Sequence, residues 1–189
     1  MIIKMSDVLS GDGEILAGAV NGRKALAKMT GQISEEPSGP QELFLDFRDV
    51  RVATASFLRE SVFAFRDLVR HRRSNFYPVI ANAAQSVEEE LKILLENDNS
   101  VLMLCSLDRQ AKPQNPRLLG RLDPKQRLTF DLVQRGITDA GQLMRENGKS
   151  ENVKQTAWNN RLAALSTLGL VIEINEGRAK KYRPLFEEA

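Results

Sequence analysis

The stretch Asn152-Val-Lys-Gln-Thr-Ala-Trp-Asn-Asn-Arg-Leu-Ala-Ala-Leu-Ser-Thr-Leu-Gly-Leu-Val171, continued by Ile172-Glu-Ile-Asn-Glu-Gly-Arg-Ala-Lys-Lys-Tyr182, decides how this chain reads. Trp158, Leu162 and Leu165 are spaced by four and then three residues, so they share one helix face and point inward. At about 100° per residue, Asn160 points away from that face, with Thr156 beside it and Lys154, Asn159 and Arg161 on the flanks. Asn152 is the expected N-cap, and Gln155 can reach back to it as in a capping box. Gly169 suits a left-handed stop, bracketed by the apolar Leu168 and Leu170. Residues 171–174 alternate apolar and charged, Asn175-Glu176-Gly177 reads as a tight turn, and residues 179–182 return as the second arm of a hairpin.

The outward face has the chemistry of a polyanion reader. Asn and Gln pair with adenine edges, while Lys and Arg neutralise phosphates or read guanine. The candidate DNA-binding residues are therefore Lys154, Gln155, Thr156, Asn159, Asn160 and Arg161 on the helix, and Arg178, Lys180 and Lys181 on the hairpin. A solvated polar face beside a basic hairpin has the same composition, so the helix, the glycine stop and the hairpin carry weight together.

Upstream residues extend the pattern. Residues 124–135 read as a helix with Leu128, Leu132 and Val133 inward, stopped by Gly136. Thr138 is the expected cap of a second helix over residues 139–146, with Ala140, Leu143 and Met144 facing a core, and Asn147-Gly-Lys-Ser150 reads as a turn. From Asp123 onward the chain resembles the winged helix-turn-helix domains of bacterial transcription regulators. That resemblance implies duplex DNA as partner, and a homodimer on a palindromic site. Winged helices also serve as protein-docking modules, and fold alone does not choose between these roles.

Charge is asymmetric along the chain. Residues 109–189 carry 15 Lys and Arg against 9 Asp and Glu, whereas residues 1–108 carry 12 against 16. The basic C-terminal half fits a polyanion, and the acidic N-terminal half does not. Residues 109–122 are polar, contain Pro113 and Pro116 and lack periodicity, so they read as a linker between a domain at 1–108 and another at 123–189.

The N-terminal region alternates strands and helices, which predicts a mostly parallel α/β arrangement. Strands are expected near residues 1–5, 42–47, 78–81 and 100–106. Helices are expected over 13–29, over 56–71 with Leu58, Val62, Phe65 and Val69 inward, and over 87–97 with Ser86 as cap. Leu43-Phe-Leu-Asp-Phe-Arg-Asp-Val50 followed by Ala53-Thr-Ala-Ser-Phe-Leu-Arg-Glu60 resembles the STAS-like domains of bacteria, which are related to anti-anti-sigma factors. The resemblance covers about residues 12–107 and implies a regulatory module that docks a kinase-like or other protein partner. The anti-anti-sigma pattern at the helix start is Asp-Ser-Ser-Gly; here Thr54, Ala55, Ser56 and Phe57 align with it. Ala55 replaces the usual phospho-acceptor, which leaves Thr54 and Ser56 as candidate acceptors. A serine ahead of an amphipathic helix is first of all an N-cap.

Other chemistry is sparse. His71 sits at a helix C-terminus, where its charge suits the dipole. Cys105 lies in an apolar strand as a structural thiol, and one cysteine excludes an internal disulfide and a thiolate zinc cluster. Glu60 reads as a surface or capping residue. Asp46 and Asp49 read as turn-shaping residues, without a further ligand in sequence for a metal. No glycine-rich phosphate loop or nucleophile–base pair is visible, and no signal peptide or membrane-length apolar run. The expectation is a cytoplasmic non-enzyme without a cofactor: a DNA-binding regulator under a STAS-like sensing domain or, alternatively, a partner-switching adaptor that does not bind DNA.

Overall fold

The computed structural model describes residues 1–11, 13–98, 100–151, 153–177 and 179–186, with only the backbone of 149–151. The chain is mixed α/β and divides into two compact units, Met1–Arg121 and Leu122–Ala189. No helix among the described residues is long and apolar enough to cross a membrane.

In the first unit, β1 (Ile2–Lys4), β3 (Gln41–Asp46), β5 (Phe76–Ala81), β6 (Val101–Leu107) and β7 (Pro113–Gly120) form one sheet in that order. The first four run parallel, and β7 runs antiparallel to β6. A smaller parallel ladder joins β2 (Ile15–Leu16) to β4 (Val52–Ala53). Between strands lie α1 (Ala19–Gln32), α2 (Ala55–Leu58), α3 (Ala64–His71) and α4 (Gln85–Asn97), with a π-helical segment, Arg59–Phe63, joining α2 to α3.

One apolar cluster explains this layout. Leu43 and Leu45 of β3, Phe76 and Ile80 of β5, and Leu102 and Leu104 of β6 alternate along their strands. They meet Met29 of α1, the Leu58, Val62, Phe65 and Val69 stripe, and Leu91, Leu94 and Leu95 of α4. Each such side chain contributes roughly 1.5–3 kcal/mol on burial. Alternate strand positions facing helices spaced by three and four residues are what a helix layer on a parallel sheet requires.

Several sequence expectations change here. The expected linker 109–122 is largely β7, an edge strand paired with β6 over Val101↔Gly120 through Leu107↔Pro113, with a register shift between Leu104 and Ser106. Its polarity is that of an edge strand's exposed face, and prolines are tolerated at such edges. Arg117 of this strand also reaches Glu88 of α4 at 2.5 Å. The helix expected from residue 13 starts instead at Ala19, because Gly18 holds φ 83°, outside the helical region. Ile15 and Leu16 therefore belong to a strand. Ser56 is not the cap of the next helix: Thr54 is, accepting the Phe57 N–H at 3.4 Å. Ser86 caps nothing either; α4 starts at Gln85, and the Ser86 hydroxyl donates to the Arg51 carbonyl at 2.6 Å.

The second unit comprises α5 (Pro124–Gln134), α6 (Ala140–Glu151), α7 (Gln155–Thr167) and an antiparallel hairpin of β8 (Val171–Glu176) and β9 (Ala179–Pro184). Asp123 caps α5 through the Lys125 and Gln126 N–H groups, and Pro124 occupies the first helical position, where its missing N–H costs nothing. Trp158, Leu162 and Leu165 of α7 are fully buried, as are Leu143, Leu170 and Val171. Gly169, at φ 77°, ends α7, and the Leu170 N–H closes onto the Leu165 carbonyl at 3.0 Å.

The turn expected at 147–150 is absent, since α6 continues through it to Glu151. Met144, expected inward, is exposed. The expected cap Asn152 lies outside the described residues, and α7 begins at Gln155. Asp139, not Thr138, caps α6, accepting the Gln142 N–H at 2.8 Å.

Candidate nucleic-acid interface

The outward face of α7 is built by the burial of Trp158 and Leu162, which fixes the helix rotation. Lys154, Gln155, Thr156, Asn159 and Asn160 are exposed as a consequence. Arg161 is half-buried, its guanidinium 4.5 Å from the centroid of the Trp158 ring. It shields the indole, and that cation–π contact competes with any reach toward a base.

The face of α7, the start of α6 and strand β9 enclose an open groove of about 620 Å³. Gln155, Asn159, Asn160, Lys180 and Lys181 line it, together with Asp139. Five of the nine sequence candidates thus share one concave surface drawn from two elements. Lys154, Thr156 and Arg161 do not line it, and Arg178 lies outside the described residues.

Of the hairpin cations, Lys180 and Lys181 do not stand free for a phosphate: each is already paired with a carboxylate. Lys181 Nζ lies 2.6 Å from Asp139 Oδ2, and Lys180 Nζ lies 2.7 Å from Glu173 Oε1. For Lys180 the cause is register: Glu173 stands opposite Tyr182, two positions from Lys180 and so on the same face of the hairpin, and the Tyr182 hydroxyl donates to Glu173 at 3.2 Å. The Lys181 hydrogen bond, with that from the Gln142 backbone, holds the Asp139 carboxyl below the usual carboxylate range. The charge balance follows the boundary between the units. With the boundary at 121/122, residues 122–189 carry 11 Lys and Arg against 9 Asp and Glu, and residues 1–121 carry 16 of each. Most of the apparent asymmetry came from Arg109, Lys112, Arg117 and Arg121, which belong to the first unit.

Sequence reasoning missed Asp139 as a member of this surface. Its signal was local only, an acidic residue before a helix; its partner Lys181 lies 42 positions away.

In the first unit, Thr54 and Ser56 stand with their hydroxyl oxygens 3.2 Å apart, both half-buried. Thr54 Oγ1 also accepts the Gly18 N–H at 3.2 Å, tying the start of α2 to the chain entering α1. Glu60 pairs with Arg23 at 3.3 Å on the surface. The His71 Nδ1 lies 2.8 Å from the Asp67 carbonyl. Burial, and secondarily the charge of Asp46, pushes the Cys105 thiol up to about 12. Asp46 is itself buried and hydrogen-bonded to the Arg48 N–H and the Asn82 amide, whereas Asp49 is exposed. Among the described residues no cluster of three or more His, Cys, Asp or Glu is arranged to hold a metal ion.

No protein-family model and no curated protein matches this chain.

Proposed function

We propose that the second unit is a winged helix-turn-helix that binds duplex DNA, regulating transcription under the control of a STAS-like first unit. The reading is supported above all by the groove that joins Gln155, Asn159 and Asn160 of α7 to Lys180 and Lys181 of β9. Amide side chains on an exposed helix face suit adenine edges in a major groove, and a hairpin beside it suits the neighbouring backbone. The STAS-like unit supplies the input: a protein partner or ligand acting near Thr54 and Ser56. A cytoplasmic homodimer on a palindromic operator goes with this reading.

The test is fluorescence anisotropy of the full-length protein with duplex DNA, including its own gene's upstream region, across a salt series. The expected result is binding that prefers one sequence over random duplex and weakens with salt. Absence of binding at 50 mM salt would overturn it.

A second reading, the partner-switching adaptor, is favoured by one observation. Ile15 and Val52 face each other on the β2–β4 ladder, are both exposed, and lie next to the segment carrying Thr54. Exposed apolar pairs of this kind suit a protein partner. Calorimetric titration with a kinase-like ATPase would then show binding that Val52→Asp abolishes.

A further inference from the structure

The internal pairing of the hairpin lysines has a functional meaning if the groove receives DNA. Resting on that reading, we propose that Asp139 and Glu173 are internal phosphate mimics: they hold Lys181 and Lys180 in the free protein, and DNA must displace them to engage these cations. The contact is a built-in brake on non-specific binding.

Four observations carry this. Both carboxylates take their lysine at salt-bridge distance, 2.6 and 2.7 Å. Asp139 and both lysines line the groove, so the competition for Lys181 happens at the binding surface itself, and Glu173 bears on that surface through Lys180. The helix does not need the lysine: Asp139 caps α6 through Oδ1, accepting the Gln142 N–H, while Oδ2 takes Lys181. The pairs are partly exposed, with side-chain exposures of 34% and 24% for Lys181 and Asp139, and 47% and 21% for Lys180 and Glu173. Pairs of this exposure are weak enough for a phosphate to exchange with the carboxylate. A lysine held by a carboxylate adds little to long-range attraction for DNA, so random duplex is disfavoured. A docked operator brings phosphates into direct competition.

Asp139→Asn and Glu173→Gln test the idea, because each keeps a side-chain oxygen as acceptor, and Asn caps a helix as well as Asp does. The full chain and each variant are titrated with random duplex DNA by anisotropy from 50 to 200 mM salt. Each variant is expected to bind about two- to fivefold more tightly than wild type, with a salt slope steeper by roughly one. Removing any negative charge near a polyanion also raises affinity, so Asp139→Asn is repeated in a Lys181→Met background. The proposal expects the gain to shrink there to that general charge effect. An equal gain with and without Lys181 would overturn it, as would unchanged affinity in both variants while wild type binds. No binding by wild type or either variant would instead remove the DNA reading, and the brake with it.

Discussion

The carboxylate of Asp46, at the end of β3, accepts a hydrogen bond from the side-chain amide of Asn82 at 2.7 Å. Asn82 follows β5 at φ 54° and reaches the next strand as well: its Oδ1 accepts the Leu107 N–H at 2.8 Å, and its own N–H donates to the Cys105 carbonyl at 3.1 Å. One residue therefore stitches the ends of three parallel strands. Asn adopts the left-handed region more easily than most residues, which makes the junction cheap.

Asn82→Ala removes two side-chain hydrogen bonds, one to a buried carboxylate, and places a Cβ residue without compensation at positive φ. The expected cost is about 2–4 kcal/mol. A urea titration followed by far-UV circular dichroism reads it as an earlier midpoint for the first unit, with the second unit's Trp158 fluorescence transition unmoved.

Cys105 is held protonated by burial and by Asp46, so it should resist thiol reagents in the folded protein at pH 8 and react fully after unfolding. Its raised pKa also has a stability consequence. The contribution is complete below the unfolded value of 9.0 and is lost as pH rises toward about 12. Cys105→Ala should flatten that alkaline loss, as measured by melting temperature against pH.

Asp139 has the opposite sign. Its carboxyl is held low by Lys181 and by the Gln142 N–H, so its contribution is present above the unfolded value of 3.8 and is lost as pH falls below it. Asp139→Ala removes both the cap and the ion pair and should cost about 1 kcal/mol at neutral pH. Asp139→Asn should cost less at pH 7 and show a weaker acid dependence. Melting of the second unit, followed by Trp158 fluorescence, distinguishes the two.

Gly22 marks a close helix crossing. A Cβ there would lie 2.8 Å from the Phe57 carbonyl oxygen and 2.8 Å from the Glu60 Cβ. Gly22→Ala would ordinarily gain helix propensity, yet overpacking against backbone should dominate and destabilise by about 1–3 kcal/mol. A stabilised variant in chemical denaturation would contradict this reading of the crossing.

At the groove, Asn160→Ala should reduce discrimination between operator and random duplex by about 1–3 kcal/mol while leaving the salt slope alone. Lys154→Ala, at an exposed position beside the groove, should weaken both DNAs alike and lower the slope by about one. Paired salt series on the two duplexes separate these effects.

Much of this chain is legible one segment at a time. The spacing of Trp158, Leu162 and Leu165 determines which face of α7 is buried, and so which side chains are exposed, because helix neighbours sit three and four residues apart whatever the rest of the fold does. The same holds for Leu58, Val62, Phe65 and Val69, all buried despite the π-helical segment between α2 and α3. The apolar runs of β3, β5 and β6 announce strands inside a layered domain for a similar reason. Pairing between distant segments is another matter. β7 reads as a linker until it is seen against β6, since an edge strand with one wet face has the composition of a loop. Thr54 looks no better a cap than Ser56 until Gly18 supplies the second donor. Lys180 and Lys181 read as two ready cations, and only the hairpin register and the approach of Asp139 show them committed. Periodicity reports what is near in sequence; charge partners, edge strands and junctions such as Asp46–Asn82 arise where segments tens of residues apart come within 3 Å, and hydrophobic patterning does not encode those distances.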